Sequence, residues 1–300
     1  MSKDYIVQKA VAPEKVVKPN RKSLEYMGEN YEAQTKNDGC CAVIKLNAPS
    51  TWVEATVEVR SRTDEACLSM SAQANKLWFD FRDKIEEHNG LVIIAEAWWP
   101  GNNQFAEISG AFRKKSEQRP RLKFIVNDIL TLEEFNRGET DTPYHARMGR
   151  SEGIQPSGNA WEFTQRWAPG SYGDPRDLCA ELVDRGGYDG LILRDPQAGW
   201  KRGSGTHGGI IKLKRELSFD LRVLRVLTST GEKTGRAVYT LEVSYKGRVL
   251  RVGSGLPHDA ASLPKVGDIV EVCAMDYSSD GLLREPRYKG IRYDKLEPDA

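Results

Sequence analysis

One lysine has neighbours that suit it to covalent chemistry. Lys36 stands in residues 34–39, Gln-Thr-Lys-Asn-Asp-Gly, which contain the spacing Lys-x-Asp-Gly. A neutral lysine amine is a nucleophile, and it acts best when a rigid element holds it beside other charges. The same motif also fits a solvent-facing lysine before an ordinary Asp-Gly turn. The motif alone therefore leaves a catalytic and a structural interpretation open.

Other charged residues interrupt apolar runs further along the chain. Glu96 lies within residues 91–99, Asp189 precedes a second apolar run, and Lys212 and Lys214 alternate with apolar residues. A carboxylate in a buried strand needs a partner, which is either a bound metal or ribose, or a salt bridge. Two lysines on one strand face repel each other unless an anion lies between them. This second pattern predicts a phosphate site.

Strands and a helix have to position these side chains. Residues 40–46 form an apolar run after the Asp38-Gly39 turn, which predicts a hairpin with Lys36 near the end of its first strand. Residues 91–99 predict a buried strand. Residues 70–89 predict an amphipathic helix, because apolar residues recur there at helical spacing. The stripe expected in the core is Ala74, Leu77, Trp78, Phe81 and Ile85.

The middle of the chain combines a strand with a segment that lacks periodicity. Residues 123–130 predict a strand whose alternation places Phe124 and Asp128 on one face, so Phe124 is either core or the wall of a base pocket. Residues 136–173 are rich in Gly, Pro, Asn and Ser, which predicts a surface excursion. Asp174 predicts the cap of a helix that begins at Pro175.

Composition limits the classes of function. The 300 residues carry a formal net charge of +1 and are 39% hydrophobic, values typical of a soluble protein. A nucleic-acid site would therefore depend on local basic clusters, such as Arg113 with Lys114 and Lys201 with Arg202. The five cysteines include no C-x-x-C pair, which argues against zinc and against a disulfide framework. No secretory signal or membrane-length apolar run is visible, so the expected location is the cytoplasm.

From about Ser218 the sequence pattern changes, and short strand-like runs alternate with turns, which is typical of a small β-barrel.

Taken in order, the segments of residues 34–295 resemble the ATP-dependent DNA ligases of the covalent nucleotidyltransferase superfamily, with the small bacteriophage enzymes most similar. Six motifs in the right order are specific, whereas each alone is weak. The matching segments are Lys36 to Gly39, Ser61-Arg62, Glu96, Phe124 with Asp128, Asp189 to Pro196, Lys212 to Lys214, and residues 283–295, which include Arg292-x-Asp294-Lys295.

The resemblance implies an α+β protein. Residues 1–217 would form a nucleotidyltransferase (adenylation) domain with antiparallel sheets, and residues 218–300 an OB-fold β-barrel. The implied activity is sealing of 5′-phosphate/3′-hydroxyl nicks in duplex DNA, in repair or replication, through a lysyl-AMP and a DNA-adenylate. It implies ATP and Mg²⁺ or Mn²⁺ as cofactors, nicked double-stranded DNA as the partner, and a monomer without zinc.

The resemblance also implies residue roles. The catalytic residues would be Lys36 as the nucleophile with Arg62, Lys212 and Lys214. Nucleotide-binding residues would be Gln34 at the adenine edge, Phe124 stacked on the base, and Thr35, Lys36, Arg62, Glu96, Lys212, Lys214, Arg292 and Lys295. Asp189 would bind the metal, and Glu96 would bind either the metal or the ribose. The local basic clusters, rather than a motif, would supply the DNA-binding residues Arg113, Lys114, Lys201 and Arg202.

Three positions depart from the ligase pattern. Cys41 stands where an arginine is usual, so a contact to phosphate or sugar has to come from elsewhere, with Lys45 or Arg60 as candidates. Asp189 replaces the usual glutamate, and Ile94-Ala95 replaces the usual Asp-Gly. Two alternatives stay open. One is an RNA ligase or an mRNA capping guanylyltransferase, and the other is a non-catalytic nick- or end-binding module.

Overall fold

The computed structural model describes residues 4–17, 23–49, 56–101, 105–115, 118, 121–186, 188–203, 205–215, 217–231, 235–274, 276–278 and 280–299. The chain divides into two compact units, Met1–Leu213 and Lys214–Ala300. The domain boundary drawn from the sequence, between residues 217 and 218, stays a prediction. No helix among the described residues is long and apolar enough to cross a membrane.

Two sheets form the frame of the first unit. Its described strands are β1 (Glu32–Asn37), β2 (Cys40–Leu46), β3 (Val57–Ser61), β4 (Leu91–Trp98), β5 (Lys123–Thr131), β6 (Glu139–Thr140), β7 (Trp161–Phe163), β8 (Arg166–Trp167), β9 (Tyr188–Arg194), β10 (Trp200–Lys201) and β11 (Ile210–Leu213). The first sheet has the order β11-β9-β1-β8, and the second has the order β3-β2-β4-β5-β7. All pairings in these sheets are antiparallel except the short β5–β7 pairing. A separate ribbon pairs β6 with β10.

Helices pack against both sheets and contribute residues to their cores. The described α-helices are α1 (Leu24–Asn30), α2 (Ser71–Glu87), α3 (Phe105–Arg113), α4 (Leu132–Arg137), α5 (Tyr144–Gly149) and α6 (Pro175–Arg185). Against the first sheet, α1 and α6 bury Met27, Leu178 and Leu182. The predicted amphipathic helix is confirmed as α2, and its apolar stripe is buried against the second sheet through Ala74, Leu77, Phe81 and Ile85, while Trp78 is half-buried.

The predicted hairpin at Lys36 is wrong, because β1 and β2 belong to different sheets. The Asp38-Gly39 turn instead carries the chain from the first sheet to the second. Position 39 requires glycine because the chain passes very close to β4 there. A Cβ at Gly39 would lie 2.4 Å from the carbonyl oxygen of Ala97 and 2.8 Å from Cγ of Glu96. Lys36 therefore stands where the two sheets meet.

The predicted surface excursion over residues 136–173 is also wrong in part. This segment contains α5, β7 and β8, and the side chains of Arg147 and Trp161 are each 1% exposed. A long structureless stretch is unusual inside a compact unit, and here the short elements are held by tertiary contacts rather than by sequence periodicity. The helix cap is confirmed, because Asp174 accepts a hydrogen bond from the backbone N–H of Arg176 at the start of α6.

The second unit is built from strands. They are β12 (Leu217–Thr230), β13 (Ala237–Tyr245), β14 (Arg248–Val252), β15 (Ile269–Ala274), β16 (Asp276–Tyr277), β17 (Leu283–Arg284) and β18 (Arg287–Ile291). Five of them form an antiparallel sheet in the order β14-β13-β12-β15-β18, and β16 pairs with β17. One bridge, between Ser254 and Arg287, links the two edges of this sheet. The alternating buried residues, among them Leu221, Val243 and Val270, form one core.

Candidate active site

A cavity of about 1040 Å³ opens between the two sheets of the first unit. Residues of β1, β9 and β11 line it on one side, and residues of β2, β4 and β5 line it on the other. A cavity of this size accommodates a nucleotide. Among its described lining residues seven are basic and three are acidic, which favours a polyanionic ligand. The basic residues are Lys9, Lys36, Arg62, Arg113, Lys115, Arg194 and Lys212.

Lys36 projects from β1 beside a carboxylate of the neighbouring strand. Lys36 is opposite Gly190 and Asn37 is opposite Tyr188, so Asp189 is an extra residue of β9, in a β-bulge. The amine Nζ of Lys36 contacts the Asp189 carboxylate, and the two side chains are 21% and 23% exposed. This amine is therefore held in place, remains accessible from the cavity, and has an acceptor for its proton.

Glu96 is the second carboxylate close to Lys36. Burial raises the pKa of Glu96 from its ordinary 4.5 to about 7. The positive charges of Lys36 and Arg62 oppose this increase, while the negative charges of Asp38 and Asp189 add to it. Near neutral pH the carboxyl of Glu96 is therefore divided between its neutral and charged forms, and a bound cation would favour the charged form.

Asp189 and Glu96 fit the donor set of a magnesium ion. Mg²⁺ prefers oxygen ligands, usually takes only one or two carboxylates, and completes its shell with waters and substrate phosphates. The described residues contain no cluster of three or more His, Cys, Asp and Glu residues placed to hold a metal. Such a pair of carboxylates suits an ion that shares its shell with a polyphosphate better than it suits a structural metal.

Gln34 and Thr35 precede Lys36 on β1 and line the same cavity. Gln34 is 1% exposed, and its amide Nε2 donates hydrogen bonds to the hydroxyl of Tyr144 at 2.6 Å and to Glu32 at 2.8 Å. The hydroxyl of Thr35 lies 3.1 Å from that of Thr164. These bonds fix the amide of Gln34 in one orientation, which is what recognition of a base edge requires.

The predicted stacking residue Phe124 does not reach the cavity. Its side chain is 0% exposed and belongs to the same core cluster as Trp161. A bulge changes the alternation of the strand after Phe124: Ile94 is opposite Asp128 but Ala95 is opposite Val126, so Asn127 is the extra residue of β5. Asn127 lines the cavity in its place.

The same bulge separates Asp128 from the face of Phe124. Arg147 donates two hydrogen bonds to the Asp128 carboxylate, both at 2.9 Å, and Arg194 donates a third at 3.1 Å. Burial alone would raise the pKa of Asp128, but these two guanidinium groups outweigh it and hold that pKa below its ordinary value. Asp128 therefore fixes Arg194 in the cavity wall. Arg147 has no motif in the sequence that could have revealed this role.

The remaining predicted nucleotide residues fall in both units. Arg62 and Lys212 line the cavity. Lys214 follows the last residue of β11 and belongs to the second unit. In that unit Arg292 donates to the Asp220 carboxylate at 2.8 and 3.0 Å, and Lys295 contacts the same carboxylate. The roles of Lys214, Arg292 and Lys295 stay predictions.

The predicted DNA-binding residues also divide into two groups. Arg113 lines the cavity, and Lys114 follows it at the end of α3. Lys201 instead forms an ion pair with Glu139 at 2.8 Å, and Arg202 donates to the carbonyl oxygen of Phe135 at 2.6 Å. Their DNA contacts stay predictions.

Neither residue expected to compensate for Cys41 lines the cavity. Lys45 lies over the ring of Phe135 at 5.6 Å, and Arg60 pairs with Glu58 at 3.0 Å. Cys41 itself does line the cavity, opposite Glu96 on β4.

No protein-family model and no curated protein matches the sequence. Solved structures do resemble the fold. A structure titled Pmar-Lig_PreS3 has a TM-score of 0.67 at 18% identity, with 96% of this chain and 68% of that chain covered. A structure from a study of minimal Lig E DNA ligases has a TM-score of 0.63 at 16% identity, covering 95% of this chain and 98% of the other.

The ATP-dependent DNA ligase of bacteriophage T7, solved with ATP, has a TM-score of 0.58 at 18% identity, with 95% of this chain and 98% of the T7 chain covered. These alignments include both units, so the α+β class with antiparallel sheets is confirmed, and the arrangement of a nucleotidyltransferase unit followed by an OB-fold unit matches. The chain has the fold of the small ATP-dependent DNA ligases.

Proposed function

We propose that this protein is an ATP-dependent DNA ligase that seals nicks with a 5′-phosphate and a 3′-hydroxyl. The observation that carries the proposal is the amine of Lys36, held against Asp189 at a predominantly basic cavity of nucleotide size. A buried, paired lysine without such a cavity would suit a structural role. The ligase fold adds support, since it comes from the arrangement of the backbone and not from the motif.

In the first step Lys36 Nζ attacks the α-phosphorus of ATP. A P–N bond forms, the bond from that phosphorus to the bridging oxygen breaks, and pyrophosphate leaves with the electron pair. The ammonium form cannot attack, so it first loses a proton, for which the touching Asp189 carboxylate is the nearest acceptor. The cations Arg62 and Lys212 line the same cavity and would stabilise the charge on the transferring phosphate.

Two further transfers complete the reaction. An oxygen of the nick's 5′-phosphate attacks the phosphorus of the bound AMP and forms the DNA-adenylate. The P–N bond breaks, and the departing nitrogen takes up a proton as the amine of Lys36 is released. The 3′-hydroxyl then attacks the 5′-phosphate, loses its proton, and expels AMP as the new phosphodiester bond forms. Asp189 and Glu96 would hold Mg²⁺, which supplies charge neutralisation at the phosphates.

Nucleotide recognition would involve both sheets. Gln34 presents a fixed amide from β1, and Asn127 presents a second amide from the bulge of β5. Ile94 and Ile192 add apolar surface on opposite sides of the cavity and would contact the faces of the base. In this arrangement Ile94 and Ile192, rather than Phe124, would pack against the adenine base.

Intact-mass spectrometry after incubation with ATP and Mg²⁺ tests the proposal. The wild type should gain the mass of one AMP, and Lys36→Ala should gain nothing. Lys36→Arg is the matched control, because it keeps the positive charge but should also fail to form the adduct. Absence of an adduct on the wild type would leave a non-catalytic nick-binding module as the explanation of the fold.

The nucleotide and the nucleic acid distinguish a DNA ligase from its relatives. Labelling by GTP instead of ATP would indicate a capping guanylyltransferase. Sealing of a nicked duplex should be compared with sealing of the same nick with one RNA strand, because preference for the RNA strand would indicate an RNA ligase. Binding to the nicked DNA should weaken steeply as salt increases, since basic side chains would replace counterions on the phosphates.

A further inference from the structure

A short segment before β1 crosses the cavity from one sheet to the other. We call residues 5–11 the strap. At one end the backbone N–H of Ile6 donates to the carbonyl oxygen of Arg62 at 2.9 Å, next to the end of β3. At the other end Val11 donates to Ile210 at 3.2 Å and accepts from Lys212 at 2.8 Å, on β11. The strap therefore forms a wall of the cavity that joins both sheets.

Apolar packing holds the middle of the strap in the same cluster that Cys41 packs against. Val7 is 7% exposed and belongs to a buried cluster with Val43 and Ile94, and Ile6 and Cys41 both pack against this cluster. The position where ligases carry an arginine is therefore next to apolar strap residues in this protein. A thiol is short enough to share that space.

A glycine also ties the strap to the loop before β11. A Cβ at Gly205 would lie 1.7 Å from the carbonyl oxygen of Lys9, so no other residue fits there unless the strap moves. The backbone contacts of residues before and after Lys9 thus hold it at the cavity, although its own side chain is exposed.

The strap carries a cation to the cavity beside Arg62. Lys9 Nζ lies 4.3 Å from the ring centroid of Tyr5, and Cζ of Arg62 lies 5.0 Å from the same centroid. All three residues line the cavity. The electron-rich ring attracts both cations, and the two distances place the charged groups no more than about 9 Å apart, where like charges repel. An anion bound between them would remove that repulsion.

We propose that Lys9 binds a phosphate group of the substrate and takes the part of the arginine that is absent at Cys41. The proposal rests on the proposed ligase function and deepens it. The phosphate belongs either to the nucleotide or to the 5′ end of the nick, and both present the same oxygen anion to an ammonium group. Tyr5 and Arg62 position the amine of Lys9, and the strap supplies the backbone support.

Three variants and two assays test the proposal. Lys9→Ala removes the charge, Lys9→Arg restores it, and Lys15→Ala removes a charge from the 3₁₀ helix Pro13–Lys15, outside the described lining of the cavity. The first assay measures the ATP concentration for half-maximal lysyl-AMP formation. The second measures the DNA concentration for half-maximal sealing of a nick that already carries AMP, a reaction that needs no ATP.

Lys9→Ala should raise the half-maximal concentration about tenfold in one of the assays, as expected for loss of a charge-assisted contact. An effect in the first assay assigns the nucleotide phosphate, and an effect in the second assigns the nick. Lys9→Arg and Lys15→Ala should stay close to the wild type. The proposal is overturned if Lys9→Ala matches Lys15→Ala in both assays, or if Lys9→Arg is as defective as Lys9→Ala.

The result separates this proposal from the one on which it rests. A wild type that forms no lysyl-AMP contradicts the ligase function, and the role of Lys9 falls with it. A wild type that forms lysyl-AMP while Lys9→Ala behaves normally contradicts only the strap proposal. Thermal unfolding of each variant shows whether the exposed substitution has left the fold intact.

Discussion

The two sheets that meet at the cavity each contain one extra residue at the meeting point, and the two residues have different chemistry. In β9 the extra residue is Asp189, whose carboxylate contacts the amine of Lys36. In β5 it is Asn127, a neutral amide in the cavity wall. A bulge turns a side chain away from the regular alternation of its strand. The bulge of the first sheet places a charged carboxylate beside Lys36, and the bulge of the second sheet places a neutral hydrogen-bonding amide in the cavity wall.

The difference suggests a division of labour between the sheets. Lys36 and Asp189 belong to the first sheet, which would carry the bond-forming step. The second sheet contributes Glu96, which would hold the metal together with Asp189, and Asn127, which would bind the nucleotide together with Gln34 of the first sheet. A variant at Asp189 should therefore act mainly on the rate of adenylation, and variants at Glu96 and Asn127 mainly on stability and on binding.

The largest expected effect comes from the bulge of the first sheet. Asp189→Asn keeps the size of the side chain but removes the proton acceptor and a metal ligand, so lysyl-AMP formation at saturating ATP should slow on the order of 100-fold. Single-turnover mass spectrometry measures this rate. Glu139→Gln is a matched control, because Glu139 is exposed and pairs with Lys201 outside the described lining. A rate within a few fold of the wild type would remove Asp189 from the mechanism.

The carboxyl of Glu96, in the second sheet, should make the stability of the protein depend on pH. The folded-state pKa of Glu96 is about 7, above its ordinary 4.5, so the folded protein holds this proton more tightly than the unfolded chain does. That stabilisation is complete below the unfolded-state pKa and is lost as the pH rises through the folded-state pKa.

From about pH 5 to about pH 8 the wild type should lose on the order of 2 kcal/mol of unfolding free energy relative to Glu96→Gln, allowing for partial solvent screening of this half-buried group. Urea unfolding in the presence of a chelator measures the difference without bound metal. Parallel pH profiles for the two proteins would mean that folding does not raise the pKa of Glu96.

Phe124 should act on stability alone. Phe124→Leu leaves a smaller side chain in the core beside Trp161, and the unfolding free energy should fall by about 1 kcal/mol. The ATP concentration for half-maximal lysyl-AMP formation should not change, because the side chain is 0% exposed and the cavity lining does not include it. A marked rise in that concentration would restore Phe124 as a base-stacking residue.

The sequence predicted most of what depends on periodicity or on a local motif. The strand at residues 40–46, the stripe of α2 and the cap at Asp174 follow from side-chain pattern and turn chemistry, and the structure contains all three. The motif resemblance singled out Asp189, which contacts Lys36 in the structure, and its functional role stays a prediction. The stacking role of Phe124 came from the resemblance, whereas its side chain lies in the core. Alternation placed Asp128 on the same face as Phe124, and a single extra residue in β5 invalidates that expectation.

Other features depend on contacts between distant segments. The separation of β1 and β2 into two sheets is fixed by the approach of β4 to Gly39, and a two-residue turn gives no local sign of it. The strap is similar, because its residues show no strand or helix period and are held by the backbone of β11 and of Arg62. Sequence patterns report local preference, whereas these arrangements come from tertiary packing.

The smallest expected effect tests the bulge of the second sheet. Asn127→Ala removes the amide from the cavity but keeps the carbonyl oxygen of Asn127, which accepts from Tyr144 and Arg194, both at 3.3 Å, so the bulge itself should persist. Loss of one neutral hydrogen bond should raise the ATP concentration for half-maximal lysyl-AMP formation about threefold, with an unchanged maximal rate. Asn47→Ala, which removes an amide bonded to Thr56 outside the described lining, should have no such effect. If Asn127→Ala slowed the maximal rate as Asp189→Asn does, the two sheets would not divide binding from chemistry, and the contrast between their bulges would be one of geometry only.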